Sequence, residues 1–475
     1  MNIFSKFFLS LLTFCFAALS PASAQNVTQG KDVVLNPFCT GACTSGDYQL
    51  ATDRAGNALA IWTKENGRLL TARLDAATGR WTLPESLGNQ TGHDPRIGFD
   101  RIGNAVAAWI VHGNEDCQKI IWSSRYLGAQ KSWTRPELVR SFQCYEGAYA
   151  PVLAVSGNGD AFLAVIQRNE AGTIFRFDSA TTTWQMYQYT GGGQEHAIAA
   201  DDSGNAIYTA RLVAYVDFIY AIRFDASTGQ WSDYERFDEF IEDGSGFSQF
   251  LTEPSLTMDR YGNAMVMWQK GTSKDGGAQT RVIRSARYLV RHNAWTLKTL
   301  PKISNAVVVQ SVMSADAETN VTAVWTQALS GYTRVFSSRY SAASGKWSRP
   351  VLIQQGDFQS RHPALDTDRF GDVLATWSQR VDAGTQSSGN AVFRTMASRF
   401  SAVTGTWCSP IVVQDANRKG YRSRIASNDS GGAIVLWEQN STRSSGGVPI
   451  RELVSDRLFP AAVPPAPGLQ AMARQ

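Results

Sequence analysis

The chain has 475 residues, of which 45 are lysine or arginine and 41 are aspartate or glutamate, so its formal net charge is +4. The basic residues are spread along the chain, which disfavours nucleic-acid binding because such proteins usually carry a clustered basic patch. Beyond the first 24 residues, no stretch approaches the roughly 18 consecutive apolar residues of a membrane helix. We therefore expect neither a nucleic-acid partner nor a membrane span.

The N-terminus has the pattern of a secretory signal peptide. Lys6 precedes an apolar run from Phe7 to Leu19, and a small-residue cleavage signature ends at Ala24. Cys15 follows Phe14 inside the apolar run, which does not fit a lipoprotein attachment site. Residues 1–24 are therefore predicted to be a signal peptide, and the mature protein is predicted to be secreted or periplasmic.

One pattern recurs in eight copies, some of them incomplete: Asp-x-x-Gly-Asn-Ala-x-Ala-x-Trp, then an Arg, and eight residues later a second Trp. The turn position is Gly56, Gly103, Gly159, Gly204, Gly262, Thr319, Gly371 and Gly431. The Arg is Arg73, Arg125, Arg176, Arg223, Arg287, Arg339, Arg399 and Arg457. The Trp after it is Trp81, Trp133, Trp184, Trp231, Trp295, Trp347 and Trp407. Six more tryptophans lie six residues after the turn position: Trp62, Trp109, Trp268, Trp325, Trp377 and Trp437.

Each copy contains four short segments with strand character. Gly and Asn supply the positive φ that a tight hairpin needs between the first two segments, and Thr-Gly or Ser-Gly does so between the last two. Four antiparallel strands in a repeat of about 45 to 60 residues predict a propeller blade. We therefore predict an all-β fold, an eight-bladed β-propeller of four-stranded antiparallel blades, formed by residues 25–460 as one domain.

The last copy ends after Arg457 and lacks its outer strand. A Pro/Ala-rich segment, residues 461–475, follows and is predicted to be a flexible tail. Residues 31–35 resemble the ends of the other fourth strands. We predict that this N-terminal strand completes blade eight and closes the ring, so that no sheet edge stays open.

The repeats resemble those of secreted bacterial β-propeller repeat proteins, and the resemblance covers nearly all of the mature chain. It is a resemblance of repeat type and implies no particular ligand. Residues 75–79 are also similar to the tryptophan-docking motif of quinone-dependent eight-bladed dehydrogenases, but Trp81 follows Gly79 by two residues, whereas in those enzymes the spacing is four. The turn is also similar to the Asp boxes of sialidases, which have Asp, Gly and Trp around one turn. In those repeats the Asp and Gly lie at other distances from the Trp.

The repetition favours structural roles for the recurring residues, because a residue needed once at an active site need not recur eight times. We predict that each Arg is buried against a turn carboxylate, which would offset the cost of removing the guanidinium from water. The thirteen Trp in register are predicted to form the core between blades. Trp122 lies outside the pattern and is predicted to be a sugar-stacking platform.

Ligand binding is predicted on the face formed by the loops between second and third strands and between blades. The scaffold fixes those loops while leaving their sequence free. The channel mouth there would be surrounded by Asp47, Asp94, Glu195, Glu253, His362 and Arg422, with His93, His196, Arg361 and Tyr421 beside them. Such a rim suits a sugar, a cation or a basic peptide; the alternative is a set of ordinary solvated loop ends.

No cofactor or metal is predicted. The histidines His93, His112, His196 and His362 have no recognised ligand spacing. Residues 233–243 hold six carboxylates, and oxygen ligands of this kind suit Ca²⁺. A solvated acidic loop is the favoured interpretation, with Ca²⁺ as the alternative.

Four cysteines are predicted to form disulfides on one face, because the compartment is oxidising. Cys117 and Cys144 both belong to blade two and are predicted to pair, which leaves Cys39 to pair locally with Cys43. The alternative connectivity joins Cys39 and Cys43 to the other two. Cys408 is predicted to be buried and unpaired.

The leading functional prediction is a non-enzymatic, monomeric extracytoplasmic propeller that binds a glycan, peptide or protein on its loop face. The rival is a propeller glycoside hydrolase or polysaccharide lyase. Carboxylates such as Asp94 and Glu253 would then face each other at the channel mouth, about 5 to 9 Å apart. The sequence contains no Gly-x-Ser-x-Gly or His-Glu-x-x-His motif, which disfavours the enzyme.

Overall fold

The strands of the protein form eight antiparallel sheets. The inner strand of each sheet lies beside the inner strand of the next sheet, and the inner strand of the eighth lies beside that of the first, so the sheets form a closed ring. The chain is an eight-bladed β-propeller, as the repeats predict. The computed structural model describes residues 27–29, 32–35, 47–64, 66–113, 117–168, 172–189, 195–213, 217–240, 247–252, 254–274, 279–301, 307–329, 331–381, 391–414, 418–429, 431–445 and 448–460.

The strands follow the repeat in chain order. Blades 1 to 4 consist of Tyr48–Thr52, Ala58–Thr63, Arg68–Asp75, Arg80–Trp81 and Glu85–Thr91; His93–Phe99, Ala105–His112, Lys119–Leu127, Ser132–Trp133 and Glu137–Phe142; Tyr149–Val155, Ala161–Ile166, Gly172–Asp178 and Thr183–Tyr189; Glu195–Ala200, Ala206–Val213, Asp217–Asp225, Gln230–Trp231 and Glu235–Phe240.

Blades 5 to 8 continue the same order, with one 3₁₀ turn, Val290–His292, in blade 5. They consist of Phe247–Leu251, Ser255–Met258, Ala264–Lys274, Gln279–Leu289 and Ala294–Thr299; Val307–Ala315, Val321–Leu329, Tyr332–Ser341, Lys346–Trp347 and Val351–Leu352; Ser360–Thr367, Val373–Arg380, Phe393–Ser401, Thr406–Trp407 and Ile411–Val412; Gly420–Ser427, Ala433–Ser445 and Val448–Pro460, completed by Val27–Gln29 and Val33–Val34.

The outer strand is interrupted in five blades. In four of them a proline, three residues after the Trp, lies in the interruption: Pro84, Pro136, Pro350 and Pro410. Proline has no backbone N–H to donate to the ladder, so the strand breaks there. Blade 4 has the same break without a proline, and nothing in the structure explains it.

The predicted closure by an N-terminal strand is confirmed. Val33 and Val34 pair antiparallel with Ser455 and Val454 of the last strand, and the Leu35 N–H donates to Leu453 O at 2.9 Å. Residues 27–29 add a second short strand that pairs with residues 458–460. The predicted signal peptide and the predicted tail lie outside the described residues.

The repeated Asp and Asn hold together the two hairpins of blades 2, 4, 5 and 6. In blade 2, Asp100 Oδ1 accepts the backbone N–H groups of Ile102 and Asn104, and Oδ2 accepts the Asn104 amide at 2.9 Å. Asn104 Oδ1 in turn accepts the N–H of Gly128, at the end of the third strand. The pattern recurs at Asp201, Asp259 and Asp316. These carboxylates are therefore part of the scaffold.

The inner set of Trp forms the core between blades, as predicted. All six are at most 2% exposed: Trp62, Trp109, Trp268, Trp325, Trp377 and Trp437. Each packs in a cluster that combines residues of two neighbouring blades; Trp109, for example, packs with Ile61 and Leu87 of blade 1. Of the outer set, Trp347 is buried and the others are half-buried.

The prediction for the repeated Arg is correct only in part. A carboxylate of the turn in the same blade pairs with Arg176, Arg339 and Arg399. Arg287 instead donates to Thr319 and Tyr340. The more general contact is with the next blade, where the guanidinium lies over an aromatic ring 4.8–5.5 Å away; this holds for Arg125, Arg176, Arg223, Arg287 and Arg339. Cation–π stacking therefore joins neighbouring blades.

The cysteines follow the predicted geometry where they are described. Cys117 and Cys144 form a disulfide with a Cα–Cα distance of 4.8 Å. Cys408 is buried and free, and its Sγ accepts the Arg399 N–H at 3.2 Å, where other blades use a Ser or Thr hydroxyl. Cys39 and Cys43 lie outside the described residues.

Removing the disulfide should destabilise the propeller. The bond joins residues 27 positions apart, and closing a loop of this length is worth about 3 kcal/mol in the chain-entropy model. We expect the double variant C117S/C144S to lose about that much free energy of unfolding, measured by urea denaturation of the purified protein. C408S serves as the control for a thiol outside the bond. An unchanged midpoint in the double variant would contradict the expectation.

Candidate functional site

Eight equivalent positions of the sequence stand six residues before each turn Asp or its replacement, at or near the start of an inner strand; we call the end of the central channel at these strand starts its mouth. They are Asp47, Asp94, Ala150, Glu195, Glu253, Gln310, His362 and Arg422. Glu253 lies outside the described residues. The prediction from the sequence named the acidic and basic residues at these positions, so it omitted Ala150 and Gln310. Counting six residues back from every turn would have found both.

Three of these positions hold a non-glycine residue in the left-handed region directly before a proline: Asp94, Ala150 and His362, with φ of 53°, 47° and 54°. Each lies where the register of the inner strand shifts. A residue before proline prefers an extended backbone, and such strain costs about 1–3 kcal/mol and often marks functional sites. The channel mouth therefore concentrates backbone strain.

Cross-blade hydrogen bonds hold the strained segments. Asp94 N–H donates to Asp47 Oδ2 at 2.6 Å, and His362 N–H donates to Gln310 Oε1 at 2.8 Å. His196 Nε2 donates to the carbonyl of Ala150 at 2.6 Å. Each bond joins one blade to the next, so the mouth is tied together between blades 1 and 2, 3 and 4, and 6 and 7.

A cavity of about 560 Å³ opens at this mouth on the side of blades 4 to 7. Its polar wall consists of Glu195, His196, Thr252, Ser255, Gln269, Gln310 and Ser311. Its apolar wall includes Pro254, Leu256, Val309, Val312 and Pro363. Of the predicted rim residues, the structure brings Glu195 and His196 into this cavity. Gln269 was not predicted, because it lies within a strand rather than a loop.

Two polar atoms of the cavity wall are buried without a hydrogen-bond partner: Ser255 Oγ and Gln269 Oε1. Gln269 as a whole is 4% exposed. Buried polar groups are normally hydrogen-bonded, and an unsatisfied one costs about 1–3 kcal/mol. Two such atoms in the wall of one cavity indicate a place where a polar ligand supplies the missing partners.

Burial raises the pKa of Glu195 more than the nearby Arg211 guanidinium lowers it. Arg211 Nη1 lies 3.6 Å from Glu195 Oε2, and its Nη2 pairs with Asp217 at 2.9 Å. His196 is buried, and burial lowers its pKa to about 4, so the imidazole is neutral at pH 7. The described wall of the cavity thus contains a carboxylate partly balanced by an arginine, and a neutral histidine.

Asp47 of blade 1 and Asp94 of blade 2 form hydrogen bonds with other residues of the mouth and do not belong to the wall of the cavity. His93 Nδ1 bonds Asp94 Oδ2 at 3.0 Å, and this contact lowers the pKa of Asp94. Asp47 Oδ2 accepts the hydrogen bond from the Asp94 N–H. The predicted facing of Asp94 and Glu253 falls on a residue outside the described part of the chain, so it stays a prediction.

A basic cluster, formed by Arg361, His362, Arg422 and Arg424, occupies the mouth at blades 7 and 8. Burial and then the charges of Arg422, Arg361 and Arg424 lower the pKa of His362 to about 4. Tyr421 lies next to this cluster and bonds Asn440 Oδ1 at 3.1 Å.

The remaining predicted residues lie elsewhere. Trp122 pairs with Trp109 across the sheet and packs in the core between blades 1 and 2. In the acidic segment, Asp238 belongs to a strand and pairs with Lys270 at 2.7 Å and Arg284 at 3.5 Å. Among the described residues, no three His, Cys, Asp or Glu side chains are grouped to hold a metal, and no helix is long and apolar enough to cross a membrane.

Fold and site define an eight-bladed propeller with a polar cavity at the mouth of its channel. No protein-family model and no curated protein matches the chain. Solved structures similar to it include the Dos1 propeller, with a TM-score of 0.47 and 11% identity over 91% of this chain and 95% of that one. The β-propeller domain of the Trilobed protease from Pyrococcus furiosus gives a TM-score of 0.45 and 9% identity over 80% of this chain and 99% of that one.

A polysaccharide lyase of family PL25, an ulvan lyase, gives a TM-score of 0.44 and 12% identity over 90% of this chain and 94% of that one. At this level of identity the likeness of all three structures concerns the fold alone.

Proposed function

We propose that this protein is an extracytoplasmic β-propeller that binds a glycan in the channel-mouth cavity without cleaving it. The observation that carries the proposal is Gln269, a buried side chain in the cavity wall whose Oε1 has no hydrogen-bond partner. A sugar hydroxyl is a donor of the right kind for this atom and for Ser255 Oγ.

The mixed lining supports a sugar over an apolar ligand. Thr252, Ser255, Gln310 and Ser311 offer neutral hydroxyl and amide groups, while Pro254, Leu256 and Pro363 offer apolar surface to the C–H faces of a sugar ring. The volume of about 560 Å³ falls in the usual range of small-molecule sites, roughly 300–1,000 Å³. The cross-blade hydrogen bonds of His196 and Gln310 hold part of the cavity wall in place, which lowers the cost of ordering the site when the ligand binds.

The second candidate is a glycoside hydrolase, and Glu195 is the observation that favours it. A half-buried carboxyl with a raised pKa has the property of a general acid. Hydrolysis by the usual route needs a second carboxylate, and within the described lining Glu195 is the sole carboxylate. The unpartnered Gln269 and the neutral hydroxyl and amide groups of the lining favour binding as the leading candidate.

A glycan array probed with the mature protein tests the proposal, and Gln269→Leu locates the site. We expect the variant to bind the captured glycan about tenfold more weakly, because the hydrogen bond to Oε1 is lost. Its stability should stay the same or rise, because an unsatisfied buried polar atom is removed. Affinity is measured by calorimetry and stability by urea denaturation.

Gln379→Leu is the matched control. Gln379 is also 4% exposed, but it accepts the Trp377 indole N–H at 3.0 Å and donates to Gln355 O at 3.0 Å. We expect this variant to lose stability and keep its affinity for the glycan. Equal affinity of Gln269→Leu and the unaltered protein would remove the cavity as the site. Release of sugar fragments that stops in Glu195→Gln would establish the hydrolase instead.

A further inference from the structure

The basic cluster is built by two neighbouring inner strands, Ser360–Thr367 and Gly420–Ser427. The Ser427 N–H donates to Asp366 Oδ2 at 2.8 Å, which fixes the two strands side by side. Arg361 and His362 lie near the start of the first strand, and Arg422 and Arg424 lie in the second. The charges of the three arginines all act on the His362 imidazole, so they meet at one sector of the channel mouth.

These charges are not neutralised within the described part of the protein. Arg361 lies over the Phe393 ring at 3.9 Å and Arg424 over the Tyr48 ring at 5.7 Å, but neither they nor Arg422 form an ion pair there. Arg211, across the same mouth, shows the contrast, because Glu195 and Asp217 both hold it. The charged groups that lower the pKa of His362 are all arginines.

The basic cluster is continuous with the cavity. Pro363, the residue after His362, belongs to the cavity wall, and His362 N–H donates to Gln310, which lines the same cavity. The Nδ1 atom of His362 is buried without a hydrogen-bond partner. A ligand that extends from the cavity past Pro363 would thus meet His362 and the adjacent Arg361.

We propose that the glycan bound here is anionic and that the basic cluster binds its carboxylate or sulfate group. This inference rests on the proposed function and names its class of ligand. Guanidinium groups match the geometry of both anions and bind them through charge-assisted hydrogen bonds. The neutral wall around Gln269 then binds the hydroxyl groups, and the cluster selects for charge.

Pairs of glycans that differ only in charge test the inference. The mature protein is titrated with oligogalacturonate and its methyl ester, and with a sulfated galactan and its desulfated form. We expect the anionic member of at least one pair to bind about tenfold more tightly or better, as one charged hydrogen bond implies. The preference should shrink as salt rises, because ions screen exposed charges. The pair that shows it distinguishes carboxylate from sulfate.

The variant R361Q/R422Q should abolish this preference while leaving the affinity for the neutral member unchanged. R260Q/R369Q is the matched control, because both residues are exposed, stack on a neighbouring aromatic ring and lie at the opposite end of the channel. Equal binding of charged and neutral members, or a preference that survives in R361Q/R422Q, would overturn the inference and leave the proposed function standing. If no glycan binds, the proposed function fails and the inference fails with it.

Discussion

Replacing Trp268 by alanine should cost about 3–5 kcal/mol of free energy of unfolding, as expected when a fully buried Trp is truncated. Trp268 is 0% exposed and stacks on Phe237 of blade 4 at 5.8 Å between ring centroids. Its indole N–H donates to Asp238 at 3.3 Å. The substitution removes a ring shared by blades 4 and 5, so it opens a cavity at their interface.

Urea denaturation followed by intrinsic fluorescence measures the loss. Leu297→Ala in the same blade is the control, because Leu297 is 46% exposed and surface changes usually stay within about 0.5 kcal/mol. Trp268→Phe keeps an aromatic ring and provides a folded variant if the alanine variant does not accumulate. A loss below about 1 kcal/mol in Trp268→Ala would contradict a core role.

The fold was predictable because repetition turns a weak local pattern into a strong one. An isolated Gly-Asn turn followed by Trp says little, but eight copies at one spacing require a repeated unit, and the missing outer strand after Arg457 requires a partner from elsewhere. The cation–π contacts between blades were missed although their signal is present. The residue after the repeated Arg is aromatic in six copies: Tyr126, Phe177, Phe224, Tyr288, Tyr340 and Phe400.

The site was predictable only in outline. Its location at the loop face follows from the fold, and Glu195 and His196 were found because they precede an inner strand. Gln269 was missed because its importance depends on which side-chain atoms remain without partners, a property of packing rather than of sequence. The left-handed backbone at Asp94 and His362 was missed because residues before proline normally avoid it.

Replacing Asp316 by alanine should cost about 3–5 kcal/mol, the usual effect of removing one partner from a buried ion pair. Asp316 is 4% exposed, and its Oδ2 pairs with Arg339 Nη2 at 2.5 Å. The same carboxylate accepts the backbone N–H groups of Glu318 and Asn320, each at 2.9 Å. The substitution therefore removes the acceptor of Arg339 Nη2, of the two turn N–H groups and of the Asn320 amide.

Chemical denaturation of Asp316→Ala, Asp316→Asn and Asp357→Ala separates these contributions. Asp316→Asn keeps an acceptor for the turn but removes the charge, so we expect a loss between those of the other two variants. Asp357 pairs with Arg334 in the same blade at 2.8 Å, but its side chain is 71% exposed. Its removal should cost less than about 1 kcal/mol, as for most surface ion pairs. Similar losses for Asp316→Ala and Asp357→Ala would mean that the buried carboxylate does not hold the blade together, and the repeated Asp would then need another explanation.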